Sequence, residues 1–446
     1  MIKVAKFGGS SVANAEQFRK VKNIIESDPS RKFVVVSACG KTCREDHKVT
    51  DLLYLTHAHL KYGVSYEPIF SLIEEKYLGI AEELGLKTDL RAKFDQIRSI
   101  MKKDLSEDYL VSRGEYLTAV LMAEYLGFAF ADAADVIRFR YDGSIDYDYT
   151  GKMLEQYARE NKGVVVPGFY GAMPNGVIRV MSRGGSDVTG AVLANILNAD
   201  VYENWTDVSG FYMADPKIVD HPYQIPRINY SELREMSYMG ANVLHDDAVF
   251  PVKDKNIPIN IRNTNEPDNP GTMIMENCAE YDRKEPPHFI TGITGRKNYT
   301  VITAVRNHNE FETGFLRRIL SVFESFNVPI ETIPTTVDTV SVIVAGEKVS
   351  SCLYEIIGRI REELKPEELH IEEHVAIIAI VGRAMKQQPG ISGRLISEFG
   401  NNGINIKVLS QTNAERCIEV GVLDRDFEKA IRCIYEKFIK EEGAVK

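Results

Sequence analysis

What this 446-residue chain has little of narrows its function first. It has six cysteines (Cys39, Cys43, Cys278, Cys352, Cys417 and Cys433), too few and too scattered for a disulfide framework. Most sit among apolar residues, as small hydrophobes do. Cys39 and Cys43 lie four apart, but no second cysteine or histidine pair completes a zinc site. No apolar run approaches the length of a membrane span, and residues 1–7 lack the apolar region and cleavage site of a secretion signal. A soluble, cytoplasmic protein is expected. Positive charge is also short: 54 Lys and Arg against 64 Asp and Glu leave a net charge of -10. That argues against broad nucleic-acid binding, which needs a basic face, but leaves room for a small basic pocket holding an anion.

What is present is a globular balance, 44% hydrophobic and 26% charged, which excludes collagen-like and wholly disordered chains. The length suggests roughly two to four domains and a core large enough to need no staples. The chain divides into two unlike parts. Up to about residue 272, short β-rich runs alternate with helical stretches. Strands are expected at 2–7, 33–37, 164–167, 177–181, 200–204 and 257–261, as near-continuous apolar runs suited to burial on both faces. Phe18, Val21, Ile24 and Ile25 fall at helical spacing, and 66–108 reads as helices only. This alternation predicts an α/β fold with an open, mostly parallel sheet sandwiched by helices, whose ligands bind at the carboxyl ends of the strands.

A boundary is marked by Asn265-Glu266-Pro267-Asp268-Asn269-Pro270-Gly271 and Glu285-Pro286-Pro287, which no helix or central strand can continue through. Beyond it the chain repeats itself. Val301-Ile302-Thr303-Ala304-Val305 recurs as Ile377-Ile378-Ala379-Ile380-Val381, and at the same offset Gly314 meets Gly390, Ser321 meets Ser397 and Phe323 meets Phe399. Each copy reads as a small βαββ module. The expected division is a domain at 1–275 and a region at 290–446 of two modules, about 299–370 and 371–446, with 288–298 available to intertwine with them.

Three segments carry chemistry. Lys6-Phe7-Gly8-Gly9-Ser10-Ser11 ends the first strand and opens a helix, where free N–H groups and a lysine can meet a phosphate. Alone this motif is weak, since it matches neither common phosphate loop. Ser182-Arg183-Gly184-Gly185-Ser186-Asp187 also joins a strand to a helix. There Arg183 can grip a carboxylate and Asp187 an ammonium, so an amino acid suits it; Ser186 or Asp187 can equally cap the helix. Trp205-Thr206-Asp207-Val208-Ser209-Gly210-Phe211-Tyr212-Met213-Ala214-Asp215-Pro216-Lys217 is a polar and aromatic loop after a buried strand, suited to a base and ribose or to an ordinary turn. Arg113-Gly114-Glu115 is expected just ahead of a helix, where a lone Glu usually serves as first-turn charge.

Taken in this order, with Gly-Ala-Asn-Val-Leu-His at 240–245, these segments resemble the aspartate kinase family of amino-acid kinases, followed by two ACT modules. The resemblance covers nearly the whole chain. It implies ATP-dependent phosphorylation of the L-aspartate β-carboxylate to 4-phospho-L-aspartate, the first step of aspartate-family amino-acid biosynthesis (lysine, threonine, methionine). It further implies that Lys6, Phe7, Gly8 and Gly9 meet the ATP phosphates, and that Thr50, Glu115, Arg183, Ser186 and Asp187 hold aspartate. Lys6, Arg183 and Asp187 would serve catalysis. Thr206, Asp207, Tyr212, Asp215, Lys217, Asn242 and Val243 would hold the nucleotide. ATP and Mg²⁺ are the implied cofactors, with no metal ligand assignable. Two departures stand out. Many members carry Lys-Val-Leu-His-Pro where this chain has Asn242-Val243-Leu244-His245-Asp246, so a lysine contact to ATP is missing or supplied elsewhere. The segment 40–47 also lengthens the loop before Thr50.

The same resemblance implies modules that pair across chains, as a homodimer or dimer of dimers, and an amino-acid effector. In the first module Gly314-Phe315-Leu316, Pro329-Ile330-Glu331 and Asp338 offer backbone N–H groups for a carboxylate and negative charge for an ammonium. The position matching Glu331 in the second copy is Lys407, so only the first copy is acidic enough for a cation. Solvated strand-end charges explain these carboxylates equally well on residues alone; the resemblance favours L-lysine. The alternatives are another substrate on the same fold (glutamate or N-acetylglutamate) and an amino-acid sensor with no activity. With the sequence reaching Lys446, no fused dinucleotide-binding domain is expected after the repeats.

Overall fold

Near-continuous apolar runs become strands buried on both faces. The structure, a computed structural model, describes residues 1–181, 184–240, 250–284, 288–306, 314–387, 389–411 and 416–441. Two units divide the chain: Met1–Phe211, Pro226–Tyr230 and Val243–Cys278 form one, and Tyr212–Ile225, Ser231–Asn242 and Ala279–Lys446 the other.

The strands of the first unit are β1 (Lys3–Phe7), β2 (Arg31–Val36), β3 (Ala129–Phe130), β4 (Val164–Pro167), β5 (Tyr170–Ala172), β6 (Ile178–Val180), β7 (Val201–Thr206), β8 (Arg227–Asn229), β9 (Ile259–Asn263) and β10 (Thr272–Met275). Eight of them form one sheet in the order β3-β4-β2-β1-β7-β9-β10-β8, parallel except where β10 returns against β9. The run at 177–181, expected in that sheet, instead pairs with β5 in a separate hairpin. Its residues Ile178, Arg179 and Val180 are not buried, so it could not have served as a central strand.

The helices of this unit are α1 (Ala15–Glu26), α2 (Val49–Tyr62), α3 (Glu67–Leu84), α4 (Leu90–Ile100), α5 (Glu107–Leu126), α6 (Ala133–Val136), α7 (Tyr147–Glu160) and α8 (Gly185–Ile196). Helix α9 (Tyr230–Tyr238) lies almost wholly in the second unit, and α10 (Phe250–Lys253) returns to the first. The α1 stripe of Phe18, Val21, Ile24 and Ile25 is buried, and Asn14 caps the helix by accepting from the Gln17 N–H at 3.0 Å. Its core is shared with α3, α4 and α5 through Phe70, Tyr77, Phe94 and Leu117. Arg113-Gly114-Glu115 lies inside α5 rather than ahead of a helix. Gly114 stands there because a Cβ would come within 2.8 Å of the Ala38 Cβ.

One buried ion pair ties the centre of the sheet. Glu203, 1% exposed on β7, takes Arg31 bidentately at 2.7 and 3.1 Å and the Trp205 indole N–H at 3.0 Å. Burial pushes this carboxyl up, but the Arg31 hydrogen bond and charge outweigh it and hold it below the ordinary carboxylate range.

The second unit holds α11 (Ala279–Asp282), β11 (Gly292–Val305), α12 (Phe315–Ser325), β12 (Thr339–Ala345), α13 (Gly346–Val349), α14 (Leu353–Leu364), β13 (Glu368–Val381), α15 (Ile391–Asn401), β14 (Val408–Gln411), β15 (Cys417–Leu423) and α16 (Phe427–Tyr435). Its sheet is antiparallel in the order β12-β11-β13-β15-β14. The two sequence copies meet in the long strands. Tyr299–Val305 pairs with β12, while Gly292–Arg296 pairs with Ile377–Val381, ahead of the first copy in the chain. Bulges at positive-φ Asn298 and His374 separate the two halves of β11 and β13. Each βαββ copy thus gains a second helix, α14 or α16, and a fourth strand from the other long strand. Ile302, Ala304, Val340, Val342 and Val344 pack beneath α12 and α14.

Candidate functional site

The carboxyl ends of β1, β2 and β7 and the first turns of α2 and α8 open on one cleft of about 1130 Å³ in the first unit. The site is built around a lysine that the sheet itself buries. Lys6, the penultimate residue of β1 and 7% exposed, makes an ion pair with Asp187 in the first turn of α8 and reaches the Asn204 side-chain oxygen at 3.4 Å. Asn204, opposite Lys6 in the β1–β7 register, donates its amide to Asp187 at 3.0 Å. A buried ammonium needs such partners, since unpaired charge in an apolar interior is strongly unfavourable.

Beside this trio runs the turn Gly8-Gly9-Ser10. Gly9 and Gly40 interlock: the Gly40 N–H donates to the Gly9 carbonyl at 2.8 Å, and a Cβ on Gly40 would lie 2.5 Å from the Gly9 carbonyl carbon. Only glycine permits that approach. Neither α2 nor α8 has a side-chain cap; Lys48 and Gly184 occupy the cap positions. The Val49 N–H donates to the Cys39 carbonyl and the Asp187 N–H to the Gly184 carbonyl, and the remaining first-turn N–H groups and the helix dipoles favour an anion.

Glu115 is the odd member. It is 4% exposed, its Oε2 has no hydrogen-bond partner, and it lines the cleft. Burial pushes its carboxyl up to about 8, against the pull of backbone hydrogen bonds at Ala38 and Glu115 and of the Arg113 charge. A carboxyl so placed can pair with a cation that enters the cleft. Asp187, by contrast, is already engaged by Lys6 and Asn204.

Lys6, Gly8, Gly9, Thr50, Glu115, Ser186, Asp187, Thr206 and Asp207, all expected in the site, line this cleft together. Phe7 does not: it is wholly buried and stacked on Trp205 at 6.0 Å, because alternation along β1 turns it away from Lys6. Tyr212, Asp215 and Lys217 are not among the lining residues and fall in the second unit. Asp215 serves its own turn, accepting from the Lys217 N–H at 2.9 Å. Arg183, Asn242 and Val243 lie outside the described residues. Asn204, Lys41, Lys48 and Tyr54 were not foreseen. Of these, Asn204 was detectable as a neutral polar residue inside a buried strand.

In the second unit, Gly314 opens α12 at a positive φ of 107°. Phe315 is buried in the helix–sheet core and Ile330 packs against it, while Leu316 and Pro329 face outward. The Arg306 N–H donates to the Asp338 carbonyl at 2.7 Å. Glu331 accepts from the Tyr238 hydroxyl on α9. Burial, then this hydrogen bond, pushes that phenol up to about 12. Residues 307–313 lie outside the described set.

The Glu115 environment has a measurable consequence. A carboxyl whose folded pKa is raised stabilises the fold below its unfolded value, and that stability is lost as pH rises through about 8. Glu115→Gln, neutral throughout, should therefore gain on the wild type by on the order of 3 kcal/mol between pH 5 and pH 9, at about 1.4 kcal/mol per pKa unit. Ligand-free thermal unfolding across that range measures it. Parallel curves for the two proteins would show that Glu115 is not held neutral.

A family model described as the amino acid kinase family matches residues 1–263, and an ACT domain model matches residues 378–438. Aspartokinase 3 of Bacillus subtilis is 34% identical, with 98% of each chain covered. The aspartate kinase of Clostridium acetobutylicum superimposes with a TM-score of 0.90 at 42% identity, covering 98% of this chain and 99% of that one. Escherichia coli aspartokinase III, 24% identical with the same coverage, shares the fold at a TM-score of 0.72 in its complex with aspartate and ADP and 0.77 in its complex with lysine and aspartate. On these matches, with the fold shared along nearly the whole chain, the chain belongs to the aspartokinases of the amino acid kinase family.

Proposed function

We propose that the cleft phosphorylates the β-carboxylate of L-aspartate with ATP, giving 4-phospho-L-aspartate and ADP. The observation that carries this reading is Glu115: a buried carboxyl with one unpartnered oxygen, in the same cleft as anion-seeking helix starts. The substrate must bring a cation to Glu115 and negative charge to the helix termini, and an amino acid reacting with a polyphosphate brings both. In this arrangement Glu115 accepts the aspartate ammonium, with Thr50 and Ser186 beside it. The Gly8–Gly9 turn and Lys6 face the phosphates, and Thr206 and Asp207 flank the nucleotide.

The chemistry asks for little beyond alignment. A carboxylate oxygen attacks the γ-phosphorus as the bond to the β–γ bridging oxygen breaks, and ADP leaves with the electron pair. The nucleophile has no proton to lose, so no general base is needed. The protein holds two anions in line and neutralises charge on the transferring group. Among the described residues no cluster of three His, Cys, Asp or Glu side chains could hold a metal ion. Mg²⁺ therefore fits as an ion carried in on ATP, held chiefly by phosphates and water, with Asp207 at the cleft edge, and it would supply further charge neutralisation. No helix among the described residues is long and apolar enough to cross a membrane, and a cytoplasmic location, where ATP and aspartate are met, suits this reading.

Lys6→Ala should lower turnover by about a hundredfold or more, the effect of removing one charge that stabilises the transition state. Steady-state rates at saturating ATP test it, and near wild-type turnover would remove Lys6 from the reaction.

Regulation belongs to the second unit. The reading here is feedback inhibition by L-lysine, supported by the acidic Glu331 of the first copy and by the lysine complex of the Escherichia coli relative. Lysine should inhibit with a coupling of about 1–3 kcal/mol. Glu331→Ala, which also frees Tyr238, should relieve inhibition while sparing uninhibited turnover. Millimolar lysine without effect on the wild type would defeat the assignment.

Assembly is read as a homodimer or dimer of dimers through 290–446. The sheet ends in β14 on one side and on the other in a segment bridged to β12 only at Thr332 and Thr335, leaving edges that a second copy can cover. Light scattering should show at least a dimer at micromolar concentration; a monomer overturns this.

A further inference from the structure

The cleft carries two exposed lysines that no described residue neutralises. Lys6, Lys41 and Lys48 are its lysines, and Lys6 is paired. Lys41 and Lys48 make no ion pair or hydrogen bond among the described residues. They stand at the two feet of the loop 40–48, which is closed where the Val49 N–H donates to the Cys39 carbonyl at 3.1 Å.

This loop is fixed from within. Asp46 accepts from the Thr42 N–H and hydroxyl, both at 2.8 Å, from the His47 N–H at 2.7 Å and from Lys76 of α3 at 2.8 Å. Lys76 also donates to the Gly40 carbonyl at 2.6 Å. Burial pushes the Asp46 carboxyl up, but these hydrogen bonds outweigh it and hold it well below the ordinary range. The first foot is pinned against Gly9, and the second leads straight into α2.

Both lysines occupy unfavourable places. Lys48 is the cap residue of α2, where the helix dipole is already positive and a cation is disfavoured. Lys41 follows the Gly9–Gly40 interlock, beside the N–H groups of a turn that also seeks an anion. Asp51 in the first turn of α2 also lines this wall, but it pairs with neither lysine, and two unpaired lysines presented by a loop with its own clamp suit an anionic ligand of more than one charge.

We infer that Lys41 and Lys48 bind the polyphosphate of the nucleotide, and that the Asp46–Lys76 clamp is the positioning device that presents them. The inference rests on the kinase reading above and adds two phosphate-binding residues to it. A single substrate carboxylate would not require two free cations on the glycine-turn side of the cleft. Lys76 touches no substrate; it acts through the loop.

The test is ADP binding by calorimetry on the full-length chain, as wild type, Lys41→Met, Lys48→Met and the double variant, at several KCl concentrations. Each single variant should weaken ADP by about tenfold, the worth of one charge-assisted contact. The double variant should lose more, with a flatter salt dependence, and its KM for aspartate should stay within about twofold of wild type, since aspartate holds no polyphosphate. Lys76→Met should reproduce part of the loss, and Lys76→Arg should restore it, which a merely structural role for the loop would not do. A double variant with unchanged melting temperature and unchanged ADP affinity overturns the inference, as does a loss that falls on aspartate alone. Either result would leave the kinase reading standing if the wild type still binds ADP and phosphorylates aspartate; a wild type that binds no ADP would fail that reading itself.

Discussion

The cleft depends on one ion pair. An ammonium placed near the end of a central strand, in a sheet apolar on both faces, is tolerated only with a counter-charge in reach. Asp187 supplies it from the first turn of α8, and Asn204 fills the remaining geometry from the neighbouring strand. The pairing fixes the start of α8 against the end of β1 and so decides which backbone N–H groups face the cleft. It also settles a division of labour between carboxylates. Asp187 is taken by the protein's own lysine, whereas Glu115 keeps one oxygen without a partner.

Strand β7 shows how similar chemistry serves two ends. Glu203 and Asn204 are neighbours in sequence and point to opposite faces of the sheet. Glu203 is saturated: Arg31, Lys3 and the Trp205 indole all converge on it, and both Arg31 and Arg262 lie over the Trp205 ring. Such a closed network holds β1, β2 and β7 together and has no capacity left for a ligand. Asn204 belongs to the open network, where Asp187 keeps 16% of its side chain exposed. Lys6 and Asn204 are nearly as buried as Arg31 and Glu203, so what separates the two networks is that Lys6 and Asp187 line the cleft.

Much of this was legible in the chain. The apolar runs gave the central strands nearly to the residue, and two glycine-containing strand-to-helix junctions gave two walls of the cleft. What escaped was non-local. The run at 177–181 has strand composition, yet it pairs only in a hairpin, because sheet membership depends on partners remote in sequence. Arg113-Gly114-Glu115 looked like a helix entrance since glycine disfavours helix interiors; the close approach of Ala38, visible only in three dimensions, makes glycine necessary inside α5. The repeat in the second half marked two copies, but not that β11 and β13 run through both. A strand shared between copies leaves no punctuation in the sequence at the point where it changes partner.

The helix starts of this chain are of two kinds. Helices α1, α4, α5, α6 and α7 begin at Asn14, Asp89, Ser106, Asp132 and Asp146, each of which accepts a backbone N–H from its own first turn. The two helices that open on the cleft begin instead at Lys48 and Gly184, which offer no acceptor. A cap typically contributes about 1 kcal/mol, yet α3, α12, α14 and α15 also begin without one, at Tyr66, Gly314, Cys352 and Gly390, so its omission alone does not single out the cleft. At α2 and α8 a side-chain cap would fill the position now open to an external anion, and would set a carboxylate or hydroxyl oxygen against it. What sets α2 apart is the charge of its cap residue: Lys48 adds to the positive end of the helix dipole, so this start is the one to which an anion would contribute most.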